Sequence, residues 1–253
     1  AMSGLMSVTG TEKPTKVGVA VSDLITGLYA TAGILGAYSR ARETGVGEFV
    51  DISLLDSQLA ALANQASNHL VSGKTPGLSG NAHPNIVPYQ VFETADDPIV
   101  VAVGNDAQFV SLCEAIGRID LGSDPRFASN SDRVENRQML VPLIGAEIAE
   151  QSSEYWRKRF EENGIPTGPV NSIAQVFNDA HVVERDTILK LQREDLGAVP
   201  VVRSPVRFTN HVPEDGRAPP ALGDSTEAIL REVGLDDQEI ERLLTEGVVG
   251  KSE

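Results

Sequence analysis

The chain has 253 residues, of which 41% are hydrophobic and 23% charged. This composition is typical of a globular protein and excludes an intrinsically disordered one. Lys and Arg total 21 against 36 Asp and Glu, a net charge of −15 that argues against nucleic acid or an anionic membrane as the main partner. The single cysteine, Cys113, excludes an intramolecular disulfide framework and a Cys-rich zinc site.

The first long element is a helix predicted from Asp23 to about Arg42. Its apolar residues recur near helical spacing: Leu24, Leu28, Leu35 and Tyr38. A glycine inside a helix costs about 1 kcal/mol relative to alanine. The helix nevertheless carries three, Gly27, Gly33 and Gly36, which indicates that another backbone or a ligand approaches it closely. Gly45 is predicted to end the helix as a left-handed cap.

The middle of the chain alternates strands and helices. We expect a strand over Phe49–Leu54, then a second apolar helix capped by Asp56, and a loop over 72–88. The remaining elements predicted before residue 164 are strands at Val87–Thr94 and Pro98–Val103, and helices at Asp106–Ile116, 131–150 and Ser153–Asn163. Pro142 is expected to restart or kink the helix over 131–150.

The last third begins with a rigid loop over Gly164–Asn171. A hairpin follows, with its turn near Glu194–Gly197, and Asp224 or Ser225 caps a C-terminal helix. These patterns predict an α/β fold with two bodies. Residues 1–75 and 200–253 would form parts of a large domain, residues 85–180 a small α+β domain, and 76–84 and 181–199 the linkers.

Two short segments carry candidate chemistry. In the stretch Gly18–Gly27, an extended apolar run enters a helix whose first turn contains Asp23. A helix N-terminus stabilises an anion, so Asp23 is either a nucleophilic carboxylate or an ordinary helix-start residue. In the second segment, Gly80, Asn81 and His83 lie in a loop whose backbone N–H groups could hold an oxyanion, or which is an ordinary turn.

Other reactive residue types do not form a recognisable pattern. The remaining histidines, at positions 69, 181 and 211, have no partner at metal-ligand spacing. We expect His69 to be a packing residue and Cys113 to lie in the core. Phosphate-loop, dinucleotide-binding and serine-hydrolase motifs are also missing from the sequence.

The stretch Gly18–Gly27 resembles the active-site segment of the class III CoA-transferases, the formyl-CoA transferase and carnitine CoA-transferase family. Several further segments resemble the same family in the same order: Thr44–Glu48, Gly80–His83, Ile86–Gln90, Val103–Phe109, Gly164–Asn171 and Pro219–Gly223. The residues present in the segment Ile86–Gln90, together with Gly247-Val248-Val249, most resemble the succinyl-CoA:glutarate (hydroxymethylglutarate) branch of the family.

The resemblance implies transfer of CoA from an acyl-CoA thioester to a carboxylic acid, with Asp23 as the nucleophile that becomes an aspartyl-CoA thioester. Gly80 and Asn81 would stabilise tetrahedral oxyanions, and His83 would orient an acid substrate. Coenzyme A enters as substrate, and no cofactor or metal is expected. The compartment implied is a bacterial cytoplasm or a mitochondrial matrix.

The family has a nucleotide-binding half before this segment and forms interlaced homodimers. We therefore expect the chain to be a C-terminal part without the N-terminal half of its large domain, inactive alone, with apolar faces open to water. Two alternatives remain. One is an acyl-CoA racemase of the same superfamily, which uses a His/carboxylate pair. The other is an inactive fragment that only dimerises or binds acyl-CoA.

Overall fold

The fold is described from a computed structural model that covers residues 1–210 and 216–252. The chain divides into two compact units, Ala1–Val170 and Asn171–Glu253. The first unit holds nine helices of four or more residues, a short 3-10 helix and one three-stranded sheet within its described residues. The second unit holds four helices and a two-stranded hairpin in the part that the structure describes.

The first unit opens with four helices. They are α1 Leu5–Val8, α2 Val21–Thr44, α3 Leu54–Ala61 and α4 Asn64–Ser72. The predicted long helix is confirmed as α2, and Gly45 ends it with φ 74° and an N–H that donates to the Ala41 carbonyl. Helix α2 packs against α3.

Two predictions for this region are wrong. The strand predicted at Phe49–Leu54 is absent: residues 49–53 are irregular and unpaired with any described strand, and Leu54 begins α3. The next helix is capped by Ser53, whose Oγ accepts from the Asp56 N–H, so Asp56 lies in the first turn. The helix also breaks at Ala63, where φ is 48°, and restarts as α4.

Much apolar surface of α2 is open to solvent. None of the residues of α2 is buried among the described parts of the chain. The expected stripe is exposed, at 60–70% for Leu24, Leu28, Leu35 and Tyr38. A Cβ added at Gly33 would lie 3.4 Å from Val50, whereas Gly27 and Gly36 face open space. The neighbour of Gly33 is therefore a side chain, and the predicted close approach of a backbone or a ligand stays a prediction at all three glycines.

The hydrophobic core lies farther along the chain. The core comes from residues 87–165, and its fully buried members include Val101, Phe109, Leu140 and Phe160. Its sheet contains β1 Tyr89–Phe92, β2 Ile99–Ala102 and β3 Thr167–Pro169, with β2 in the centre and both pairings antiparallel. The first two strands were predicted, whereas β3 lies where a loop was expected.

Helices surround this sheet. They are α5 Asp106–Ala115, α6 Ile119–Gly122, the 3-10 helix Pro125–Phe127, α7 Asn130–Glu135, α8 Arg137–Ile148 and α9 Ser153–Glu162. The helix does not restart at Pro142, which lies inside α8, and a kink at this residue stays a prediction. The break falls at Asn136, between α7 and α8.

The second unit contains the predicted hairpin. Strands β4 Ile188–Arg193 and β5 Gly197–Val202 pair antiparallel, and Arg193 faces Gly197 across the turn. The helices are α10 Ile173–Phe177, α11 Ala180–Glu184, α12 Thr226–Glu232 and α13 Asp237–Thr245. Ser225 is the N-cap residue of α12, although its side chain makes no capping bond.

The mixture of helices and small sheets agrees with the predicted α/β class. The observed division at 170/171 differs from the predicted linkers, and residues 181–199 include most of α11, all of β4 and the start of β5. The assignment of 1–75 and 200–253 to one large domain stays a prediction. Across the described residues, no helix combines the length and the apolarity needed to cross a bilayer.

Candidate functional site

Asp23 is the third residue of α2, after the N-cap Ala20. Its side chain is exposed, and no hydrogen-bond donor or cation is paired with it among the described residues. The N–H groups of a first helical turn have no partner within the helix and favour a negative charge close by. The carboxylate is therefore accessible to a reactant and stabilised by its position.

The residue before Asp23 anchors this helix end. The Ser22 hydroxyl donates to Gln58 Oε1 at 2.7 Å. Gln58 is 2% exposed on α3, so its amide is held in a fixed place. The bond fixes the first turn of α2 against α3, which in turn restricts where the Asp23 backbone lies.

Gly80 lies in the loop between α4 and β1, with φ 57°. Its N–H donates to the Gly10 carbonyl at 3.0 Å. A Cβ at this position would be 3.1 Å from Thr11 Cγ2. The loop therefore packs against the segment that precedes α2, and in this arrangement the Gly80 N–H is already occupied.

Asn81 and His83 have different surroundings. Asn81 is exposed, and its side chain has no hydrogen-bond partner in the part of the chain that the structure describes. His83 is half-buried and stacks on Tyr89, with ring centroids 5.3 Å apart. Its Nδ1 accepts from the Asn85 N–H at 3.1 Å, which leaves Nε2 as the ring's available nitrogen.

Arg137, the first residue of α8, is a polar contact of this loop that the sequence analysis missed. Its Nη2 donates to the carbonyls of Pro84 at 2.7 Å and His83 at 3.3 Å. These partners lie more than 50 positions away in the sequence, so no local pattern could have shown the contact. The guanidinium holds the loop that carries His83.

A cleft of about 490 Å³ lies beside this loop. It is lined by Thr11, Leu78, Ser79, Gly80, Ala82, Gln90, Arg137, Gln138, Val141 and Pro142. The structure thus brings the Gly80 loop and Arg137 to one cleft, and connects that loop to the chain just before α2. Of the predicted site residues only Gly80 lines the cleft; Asp23, Asn81 and His83 do not.

The other candidates lie elsewhere. Cys113 is fully buried as expected, and burial, followed by the charge of Asp120, raises the pKa of its thiol to about 12. His69 was expected to pack, but it is exposed, and its Nδ1 lies 3.2 Å from the Lys74 carbonyl. His181 is exposed on α11, and His211 lies outside the described residues.

Among the described residues, no cluster of three or more His, Cys, Asp or Glu side chains could hold a metal ion.

Comparison with known proteins identifies the family of the chain. The family model described as CoA-transferase family III matches residues 1–226. The chain belongs to CoA-transferase family III. The family resemblance predicted from the segments around Asp23 and Gly80 is thereby confirmed.

Individual family members agree with this assignment. The chain is 39% identical to the succinyl-CoA:glutarate CoA-transferase of Mus musculus over 256 aligned residues, which cover 100% of this chain and 59% of that protein. It is 39% identical to the succinate–glutarate CoA-transferase of Agrobacterium fabrum, over 96% of this chain and 60% of that protein. The crystal structure of a CAIB/BAIF family protein from Brucella suis matches with a TM-score of 0.73 and 38% identity, over 92% of this chain and 61% of that one.

The CoA-transferase family III chain described here thus spans about 59% of the length of its mouse relative. The similarity covers both units, because the alignment includes the whole of this chain. The family assignment therefore does not depend on one motif.

Proposed function

We propose that the protein transfers CoA from an acyl-CoA thioester to a carboxylic acid, with Asp23 as the nucleophile. The observation that carries the proposal is an exposed, unpaired carboxylate at the first turn of α2 in a CoA-transferase family III chain. The relatives named for succinyl-CoA and glutarate support dicarboxylic substrates.

The first step is attack of an Asp23 carboxylate oxygen on the thioester carbonyl carbon of the donor. Collapse of the tetrahedral intermediate breaks the carbon–sulfur bond, which leaves a mixed anhydride on Asp23 and releases the CoA thiolate. The thiolate then attacks the Asp23 carbonyl of that anhydride. This attack forms the aspartyl-CoA thioester and releases the donor's acid as a carboxylate.

The second half runs the same chemistry in reverse. The acceptor carboxylate attacks the aspartyl-CoA carbonyl and forms a new mixed anhydride, with release of the thiolate. The thiolate attacks the acceptor's carbonyl, and the Asp23 carboxylate leaves. Covalent catalysis divides one difficult exchange into easier steps and conserves the thioester's energy if water is excluded.

Each step passes through an oxyanion that needs donors. We assign this role to the Gly80–Asn81 backbone, where a well-aligned donor contributes about 3 kcal/mol. The Gly80 N–H is engaged by the Gly10 carbonyl, so this role requires a shift of the 9–15 segment away from the loop. His83, with Nε2 available, is proposed to orient the acid. An interlaced homodimer is proposed as the active form, since it would cover the exposed apolar side chains of α2.

The decisive experiment traps the covalent intermediate. Incubation of the full-length protein with succinyl-CoA, followed by borohydride reduction and mass spectrometry of peptides, should modify the peptide that contains Asp23. Asp23→Asn should lose the modification and at least 99% of CoA transfer to glutarate, with an unchanged circular dichroism spectrum, since it removes the nucleophile and keeps the shape. Modification of another residue would refute the proposal, and loss of α-deuterium from a branched acyl-CoA without CoA transfer would favour a racemase.

A further inference from the structure

The cleft beside the Gly80 loop has an unusual charge. Among its lining residues, all of which the structure describes, Arg137 is the one cation, and none is acidic. The chain as a whole carries 36 acidic residues against 21 basic ones. A positive, carboxylate-free cleft in so acidic a protein favours an anion as its occupant.

The guanidinium of Arg137 is also only partly used. Its Nη2 is held by the carbonyls of His83 and Pro84, while Nε and Nη1 have no partner among the described residues. Most other arginines of the first unit pair with a carboxylate, as Arg157 does with Glu154 at 2.7 Å. Arg137 has no such pair, although its side chain is half-buried and fixed by two hydrogen bonds.

A fixed guanidinium with two free donor groups suits a carboxylate. Nε–H and Nη1–H lie on different edges of the guanidinium, so each can donate one charge-assisted hydrogen bond to an anion, and a preorganised arginine loses less entropy when it binds. The neutral side chains of Gln90 and Gln138, together with Ser79, line the same cleft and can donate further hydrogen bonds. The apolar wall of Leu78, Val141 and Pro142 can contact a short methylene chain.

We propose that Arg137 binds one carboxylate of a dicarboxylic acid substrate in this cleft. Asp23 does not line the cleft, so reaction of the other carboxylate requires that the active form bring Asp23 to it. The inference rests on the proposed function for the identity of the substrate, but binding at the cleft can be measured without turnover. Arg137 would therefore be the residue that selects dicarboxylic over monocarboxylic acids.

The first test measures binding by NMR titration of the 253-residue chain with glutarate and with the neutral glutaramide. Glutarate, not glutaramide, should shift the amide signals of the cleft, and Arg137→Gln should weaken glutarate binding about tenfold or more, as expected for hydrogen bonds to a charged group. Arg157→Gln is the matched control, because it removes the same charge from another cleft of similar size, and it should leave binding unchanged.

A second variant is needed because Arg137 also holds the His83 loop, and Arg137→Gln could weaken binding by disturbing that loop. Gln138→Glu leaves Arg137 and its two carbonyl bonds in place and adds a competing carboxylate at the cleft. It should also weaken glutarate binding, with an unchanged melting temperature. Unchanged binding in this variant would refute the proposal, as would the absence of glutarate binding by the wild-type chain.

The second test uses turnover and separates the possible anions. In the full-length protein, Arg137→Gln should raise KM for glutarate about tenfold or more and leave KM for pentanoate unchanged, because the only carboxylate of pentanoate reacts. A rise confined to the KM of the CoA donor, or displacement by adenosine 3′,5′-bisphosphate, would identify a phosphate site and overturn the proposal. If glutarate binds through Arg137 but no CoA is transferred, the proposed function fails and the carboxylate site stands.

Discussion

Arg133 on α7 is the buried charge on which the core of the first unit depends, and its replacement is the sharpest stability test. The side chain is 1% exposed. Its Nε donates to the Val87 carbonyl at 2.8 Å and its Nη1 to the Phe127 carbonyl at 3.0 Å. Its Nη2 pairs with Asp106 at 2.7 Å.

The expected magnitude follows from what Arg133→Met leaves behind. Val87 and Phe127 are buried, and each carbonyl would lose its arginine donor at about 1–3 kcal/mol. The Asp106 side chain is 57% exposed, so the loss of its pairing adds little. The guanidinium also lies 4.5 Å from the centroid of the Phe109 ring, and that cation–π contact is lost too. Because methionine fills most of the volume, we expect a loss of about 2–5 kcal/mol in the free energy of unfolding.

Urea unfolding followed by tryptophan fluorescence measures this loss. The single tryptophan, Trp156, is 4% exposed in the same core, so its signal reports the first unit. Arg126→Met is the matched control, because Arg126 is an exposed arginine paired with Asp124 and its loss should cost at most about 1 kcal/mol. A change below about 1 kcal/mol for Arg133→Met would refute the reasoning, because the two carbonyls would then have found other donors.

Two further predictions concern titrating groups. The pKa of Asp96 lies well below its ordinary value, first because the Ser153 N–H donates to its carboxylate, and then because the Asp97 N–H and the Thr94 hydroxyl do so. The ionised Asp96 should contribute its full stabilisation above about pH 4 and less as the pH drops towards the folded-state pKa. The difference in unfolding free energy between wild type and Asp96→Asn should therefore become smaller in acid. A difference that stays constant or grows would contradict this prediction. For Cys113, burial raises the thiol pKa to about 12, so an aromatic disulfide reagent at about pH 8 should react with it in urea and not in the native state. Fast labelling of the folded protein would show that the thiol is accessible.

Local patterns predicted the elements that depend on local forces. The length of α2 follows from its helical periodicity, and its end follows from Gly45, which adopts the left-handed conformation that glycine tolerates best. The strand predicted at Phe49–Leu54 does not form, because a strand depends on a partner elsewhere in the chain. Alternation fits a strand, but a strand needs a neighbour, and the described residues supply none.

Pro142 shows how context overrides a local rule. A proline inside a helix removes the bond from its own nitrogen to the carbonyl four residues earlier, here that of Gln138. Gln138 is exposed, so water can satisfy that carbonyl and α8 continues. The Asn136 break is an end-of-helix conformation that the sequence pattern over 131–150 did not show.

In the candidate site, too, the features set by local sequence were predicted and those set by long-range contacts were missed. The position of Asp23 in the first turn of a helix follows from the sequence around it. Arg133 and Arg137 were missed because each resembles an ordinary surface charge on a helix, and their partners are distant in the chain. The sequence also gave no sign that the Gly80 N–H would donate to Gly10, a contact between segments 70 positions apart.

The buried cluster of the first unit comes from one uninterrupted stretch, residues 87–165, and the last strand of its sheet ends only four positions later, at Pro169. Such a stretch can acquire its native structure while the ribosome is still adding residue 171 and those beyond it. The sheet is complete only when Thr167–Pro169 has left the ribosome, because β3 pairs with β2 at Ile99–Val101. The nascent chain would thus hold a finished nucleus before the later hairpin of β4 and β5 emerges.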